Sequence, residues 1–203
     1  MKKIGITGTI ASGKTSVSIS LKRRGMPVFN ADNYSKIALH QGSQCYARLI
    51  EILGSSVLDD NQDIDPHQMA EIIFNDEEKR RAVNEAVHPF VKEGMRKFFA
   101  SHADRPLVFA EVPLLFESHW EKEFDAVCVI TCAKEEALKR MMKDRGYTKK
   151  EAERRYASQI DPEKQKAMAD YVLINDGDTK ELEHQVNTWV AQLRKETRHG
   201  NES

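Results

Sequence analysis

The chain has 203 residues, 40% hydrophobic and 31% charged, with a formal net charge of −1. That length carries one domain with room for an inserted subdomain. The near-neutral charge argues against a general nucleic-acid binder, which is usually strongly basic, and no apolar stretch approaches the ~20 residues of a membrane span. Met1-Lys2-Lys3 leads directly into an apolar run without a signal-peptide core, so the expected location is the cytoplasm.

The first expected element is a buried strand over residues 4–7. Behind it, Gly8-Thr9-Ile10-Ala11-Ser12-Gly13-Lys14-Thr15 fits the pattern G-x-x-x-x-G-K-[ST], followed by a helix over 15–24 with Val17 and Leu21 on one face. Gly25 stands where that helix stops, with Pro27 beyond it. Strand, glycine loop and helix form the setting a phosphate-binding loop requires. The glycines let successive backbone N–H groups turn toward phosphate oxygens, and the helix start adds its positive dipole end. Gly8, Ala11, Ser12, Gly13, Lys14, Thr15 and Ser16 are therefore the expected nucleotide-binding residues, with Lys14 across the β- and γ-phosphates and the Thr15 hydroxyl on Mg²⁺. A chance glycine turn is the alternative; average residue usage puts a random match at about one per cent for a chain this long.

Four further apolar runs, over 28–29, 107–112, 126–131 and 171–174, read as parallel strands because they do not alternate. With helical segments between them they imply a three-layer α/β fold with a five-stranded parallel sheet. The stretch 33–103 has no strand-like run, reads as helical with Val87, Val91, Met95 and Phe98 on one face, and is expected to be a helical insertion beside a core of 1–32 and 104–203. Eight acidic residues between Asp59 and Glu78 read as a solvated surface rather than a metal site. Cys45, Cys128 and Cys132 read as buried, reduced thiols, the last two sharing a strand face.

Residues 134–166 carry eleven Lys or Arg against seven Asp or Glu. They read as helical, broken at Gly146 and restarted at Thr148 with Glu151 as a capping box, and as either a solvated face of alternating charge or a basic lid over the triphosphate. A final helix is expected from Leu182, Val186, Trp189, Val190 and Leu193, opened by Asp178 and Glu181, with a frayed polar end from Glu196.

A small phosphate-loop protein with a helical insertion, a basic lid and no N-K-x-D guanine element reads as a small-molecule kinase. Such an enzyme needs a carboxylate beside the transferred phosphoryl and another for the metal shell. Asp32, after the second strand, and Glu111, at the end of the third, are the candidates. An Asp after a strand is also a common helix cap.

The chain resembles the dephospho-CoA kinase family from its first strand to about Gly177. The markers, in order, are Gly5 to Thr15, Asn30-Ala31-Asp32, His88-Pro89, Val112-Pro113-Leu114-Leu115-Phe116-Glu117, Leu138-Lys139-Arg140, and Ala169 to Gly177. The resemblance implies a single-domain kinase of 1–203 that moves the γ-phosphoryl of ATP to the ribose 3′-hydroxyl of dephospho-CoA, the last step of coenzyme A synthesis. It implies Asp32, Lys14 and Arg140 as catalytic residues. Arg140, Arg145 and Asn175 would meet ATP, Thr15 and Glu111 would hold Mg²⁺, and the insertion with His88 and the Pro113-Leu114-Leu115 turn would face the acceptor; His88-Pro89 also reads as a helix start, with proline in the first turn. The expected state is a monomer or weak homo-oligomer without nucleic-acid or membrane partners. Three positions depart from the family pattern: Thr9 and Ala11 replace loop glycines, Asn30 replaces an aspartate, and Glu111 stands where aspartate is common. The rival readings are another nucleoside or nucleotide kinase and a non-catalytic nucleotide switch.

Overall fold

The computed structural model describes residues 1–199. The helices are α1 (Lys14–Arg23), α2 (Ala31–Ser35), α3 (Tyr46–Leu53), α4 (Pro66–Asn75), α5 (Glu77–Ala100), α6 (Lys134–Arg145), α7 (Lys149–Ala157), α8 (Pro162–Ala167) and α9 (Thr179–His199). The strands are β1 (Lys2–Gly8), β2 (Val28–Asn30), β3 (Leu107–Glu111), β4 (Ala126–Thr131) and β5 (Tyr171–Ile174). The chain divides into two compact units, Met1–Phe29 with the chain from His102 onward, and Asn30–Ser101.

The first unit is built on a five-stranded parallel sheet in the order β2-β3-β1-β4-β5. Ile4 of β1 lies opposite Phe109 on one side and Ala126 on the other. Every residue of β3 and β4 is buried, which explains the apolar runs that fill both strands up to Glu111 and Thr131 at their ends. On one face, Val17 and Leu21 of α1 and the Leu182, Val186, Trp189, Val190 and Leu193 stripe of α9 pack over Ile4, Ile6, Phe109 and Cys128. Phe109 and Trp189 meet edge-on at 5.7 Å. On the other face, the bare Cα of Gly5 is covered by Leu115 and Phe124. At the open edge the Gln185 amide exchanges two hydrogen bonds with the Ile174 backbone, occupying groups that would otherwise invite another strand.

Local chemistry sets the ends of these elements. The N–H groups of Gly25 and Met26 bond back to Lys22 and Leu21, closing α1. Thr148 and Glu151 form a reciprocal capping box on α7, after α6 has ended at a left-handed Gly146. Helix α9 continues to His199 where the sequence reads as frayed from Glu196, because the Glu196 carboxylate accepts from Lys2 Nζ at 2.7 Å. Residues 200–203 lie outside the described residues. Cys132 sits one residue past β4 and so does not share a strand face with Cys128; all three cysteines are free and buried.

The second unit is helical, with a core of Leu39, Leu49, Leu53, Val57, Ile64 and Val83. Asp65 and Asp76 of the acidic stretch cap α4 and α5, and among the described residues no cluster of three or more metal-ligating side chains occurs. Along α5 the buried positions include Val91, Met95 and Phe99, so Phe99 rather than half-buried Phe98 completes the stripe. His88-Pro89 does not start a helix: Pro89 lies in the interior of α5 on its exposed side. Pro89 has no N–H for the helix ladder, and the burial of Val83, Val91 and Met95 along the same helix offsets a loss of about 3 kcal/mol. Among the described residues no helix is long and apolar enough to cross a membrane.

Candidate active site

The loop between β1 and α1 is shaped by backbone that only small residues tolerate. Gly8 has φ 143 and a side chain there would meet the Ile130 carbonyl at 2.0 Å. Gly13 has φ 99 and a Cβ would stand 2.1 Å from Asn175 Nδ2. Helix α1 has no side-chain N-cap and no acidic residue in its first turn. The first four N–H groups of a helix have no intrahelical acceptor, so this end is built to receive an anion from outside.

The carbonyls of the loop are turned elsewhere. Arg140 of α6 donates through Nη1 to Ala11 O at 3.3 Å and through Nη2 to Asn175 O at 2.9 Å, while Glu136 fixes its Nε at 3.0 Å. Buried Asn175, just past β5, donates from Nδ2 to Ser12 O at 2.9 Å. Lys14 Nζ rests on Gly8 O and Thr9 O at 2.9 and 2.8 Å. With these carbonyls occupied, the loop presents amides and one ammonium to a cavity of about 480 Å³. Its walls include Ala11, Gly13, Lys14, Thr15, Ser16, Arg140, Arg145 and Asn175, a size suited to a nucleotide-sized ligand.

Of the residues expected from sequence, those eight therefore meet at one cavity. Ser12 is fully buried and Gly8 lies against the Ile130 backbone, so neither is among its walls. Thr15 Oγ1 donates to Glu111 Oε1 at 3.1 Å, bringing a hydroxyl and a buried carboxylate together at the end of β3. This all-oxygen pair fits a hard divalent cation, since Mg²⁺ is commonly held by one or two carboxylates, with phosphate and water completing its shell.

Asp32 and His88 belong to the helical unit. Asp32 is exposed in the first turn of α2, and Asn30, not Asp32, is its cap, accepting from Asn33 N at 2.8 Å. The amide at position 30 thus performs the capping an aspartate would perform. Tyr34 seats α2 on α5, its ring against Gly94 and 5.2 Å from the Phe90 ring. His88 is half-buried, and burial, followed by the nearby Lys92 charge, pulls its pKa below the ordinary value.

Sequence reasoning missed Asp144, Gly177, Thr179 and Leu182 as cavity walls. Gly177 closes the last family marker, and Leu182 was read only as core. It also missed Gln159, whose Oε1 accepts from Ile10 N at 2.7 Å across 149 residues of chain, a pairing with no local signal. Cys132 lies beside the site: burial raises its thiol pKa against the pull of Arg140 and Lys14.

Comparison with known proteins agrees with this geometry. The dephospho-CoA kinase family profile matches residues 2–181. A dephospho-CoA kinase of Listeria monocytogenes serotype 4b is 34% identical over 96% of this chain and 98% of its own. A crystal structure from Thermus thermophilus superposes with TM-score 0.79 at 31% identity, covering 95% of this chain and 97% of that one. The dephospho-CoA kinase structure from Campylobacter jejuni, at 24% identity, shares the fold with TM-score 0.73 over 95% of this chain and 97% of its own. Phosphate loop, sheet order and near-full-length matches together place this chain in the dephospho-CoA kinase family.

Proposed function

We propose that this chain transfers the γ-phosphoryl group of ATP to the ribose 3′-hydroxyl of dephospho-CoA, giving coenzyme A and ADP. The observation that carries the proposal is the loop whose carbonyls are held by Arg140 and Asn175, leaving N–H groups, Lys14 and the α1 terminus for a triphosphate. The 3′-oxygen attacks the γ-phosphorus, the bond from that phosphorus to the bridging oxygen breaks, and ADP departs. Asp32 orients the hydroxyl and takes its proton. Lys14 leaves the Gly8 and Thr9 carbonyls for the phosphate oxygens and, with Arg140, offsets charge in the transition state. Thr15 and Glu111 hold Mg²⁺, which when bound neutralises phosphate charge. Arg145 and Asn175 contact the nucleotide, and the insertion over 33–103, with His88, receives the acceptor. The basic stretch over 134–166 acts as a lid that excludes water. We place the enzyme in the cytoplasm, as a monomer or weak homo-oligomer without nucleic-acid partners.

Coupled ADP release against a panel of acceptors tests this directly. Dephospho-CoA should give turnover and simple nucleosides and nucleotides should not; the reverse pattern overturns the acceptor assignment. Asp32→Ala should lower kcat by ~10²-fold or more while ATP affinity stays within a few fold. An unchanged kcat removes Asp32 from the chemistry.

A further inference from the structure

Ala11 sits at φ 59, in the left-handed region, where the phosphate loop is most demanding. For an L-residue that conformation is strained, because its Cβ crowds the backbone, and it persists only where the surroundings over-determine it. Two side chains from the far half of the sequence hold the backbone around it, one at the Thr9–Ile10 peptide group and the other at the Ala11–Ser12 peptide group. Gln159 Oε1 accepts the Ile10 N–H at 2.7 Å, and Arg140 Nη1 donates to the Ala11 carbonyl at 3.3 Å. Gln159 is itself firmly mounted between α7 and α8. Its own N–H bonds to Tyr156 O at 3.3 Å, and the next residue, Ile160, donates its N–H to Glu117 Oε1 at 3.3 Å. Glu117 lies in the turn that follows β3, whose Leu115 and Phe116 are buried. The acceptor for Ile10 is therefore presented by chain anchored on both sides.

Within the kinase reading above, we propose that Gln159 is a positioning residue for phosphoryl transfer: it clamps Ile10 so that Ala11 keeps its left-handed turn before ATP arrives. It touches no reacting atom. Its effect passes through the loop to the amides that bind phosphate, so it acts on the nucleotide and not on the acceptor. The clamp matters here because alanine occupies a position that glycine would fill without strain. With the Ile10 bond removed, Ala11 relaxes toward ordinary backbone and the loop closes on itself.

Gln159→Met keeps length and volume but removes the acceptor, and tests this by steady-state kinetics, melting temperature and amide hydrogen exchange at Ile10. The expected result is faster exchange at Ile10 and an ATP KM raised about three- to tenfold, the worth of one hydrogen bond. The dephospho-CoA KM should be unchanged, kcat should fall by less than about twofold, and the melting temperature should stay within ~2 °C. Rescue distinguishes positioning from plain structural support. In the Ala11→Gly background the same Gln159→Met change should raise the ATP KM by less than about twofold, because neighbouring sites couple and glycine needs no clamp. Wild-type ATP KM in a folded Gln159→Met protein, equal losses for both substrates, or an undiminished loss in the glycine background would each overturn the proposal. Should Gln159→Met fail to fold, Gln159→Asn, whose amide falls short of Ile10, carries the same expectations. Calorimetry of ATP binding to each variant separates this proposal from the acceptor assignment, since it reads the loop even if dephospho-CoA is not the acceptor.

Discussion

At the scale of single residues, Ala11 concentrates the tension between what the loop needs and what its side chain prefers. Replacing it with valine adds a β-branched residue where φ is 59, a genuine outlier for that shape. Ala11→Val should lower the melting temperature by roughly 2–8 °C, as 1–2 kcal/mol does in a chain of this size. Ala11→Gly trades relieved strain of roughly 1–2 kcal/mol against a more flexible unfolded chain worth about 0.4–1 kcal/mol, and should leave the melting temperature unmoved or slightly raised. A valine variant as stable as the parent would show that Ala11 carries no strain. The motif residues themselves were legible, since G-x-x-x-x-G-K-[ST] encodes its geometry in eight consecutive positions. Gln159 was not, because its partner lies 149 residues away and a glutamine between two helices carries no pattern of its own.

Among elements, α2 and α5 show how a carboxylate is held in place by packing. Gly94 interrupts α5 with a residue that weakens helices, and Tyr34 fills the notch; an added Cβ would stand 2.2 Å from the ring. Gly94→Ala gains about 1 kcal/mol of helix propensity but overpacks the contact, which typically costs 1–3 kcal/mol. The net expectation is a small destabilisation, with α2 displaced and kcat falling more than ATP affinity. A variant more stable than the parent with unchanged kcat would mean that Tyr34 does not hold α2. Helix α5 also carries a pH dependence. Burial keeps the His88 pKa below its ordinary value of 6.5, so the unfolded chain binds the proton more readily. The stability from neutral His88 is fully present above that value and is lost as pH falls through the lower folded one. Thermal melts should fall more steeply on acidification in the parent than in His88→Asn; identical slopes would count against it. Strand and helix identities were visible from apolar runs and caps such as Thr148 with Glu151. The interior position of Pro89 was not, because proline reads locally as a helix start while tertiary burial along α5 decides otherwise.

For the molecule as a whole, the sheet order puts β1 between β3 and β4, which brings the phosphate loop, the Glu111 end of β3 and Asn175 after β5 to the carboxyl ends of neighbouring strands. This is where ligands of open α/β sheets collect. Long-range hydrogen bonds from Arg140, Gln159 and Asn175 tie the second half of the sequence to a loop in its first fifteen residues. This arrangement moves a phosphoryl group from ATP to one hydroxyl of dephospho-CoA. Phosphorus NMR of the reaction of the purified protein with Mg-ATP and dephospho-CoA tests it most directly. One new ribose 3′-phosphomonoester should appear for each ADP formed; ADP accompanied only by inorganic phosphate, or a phosphate at another position, would contradict it.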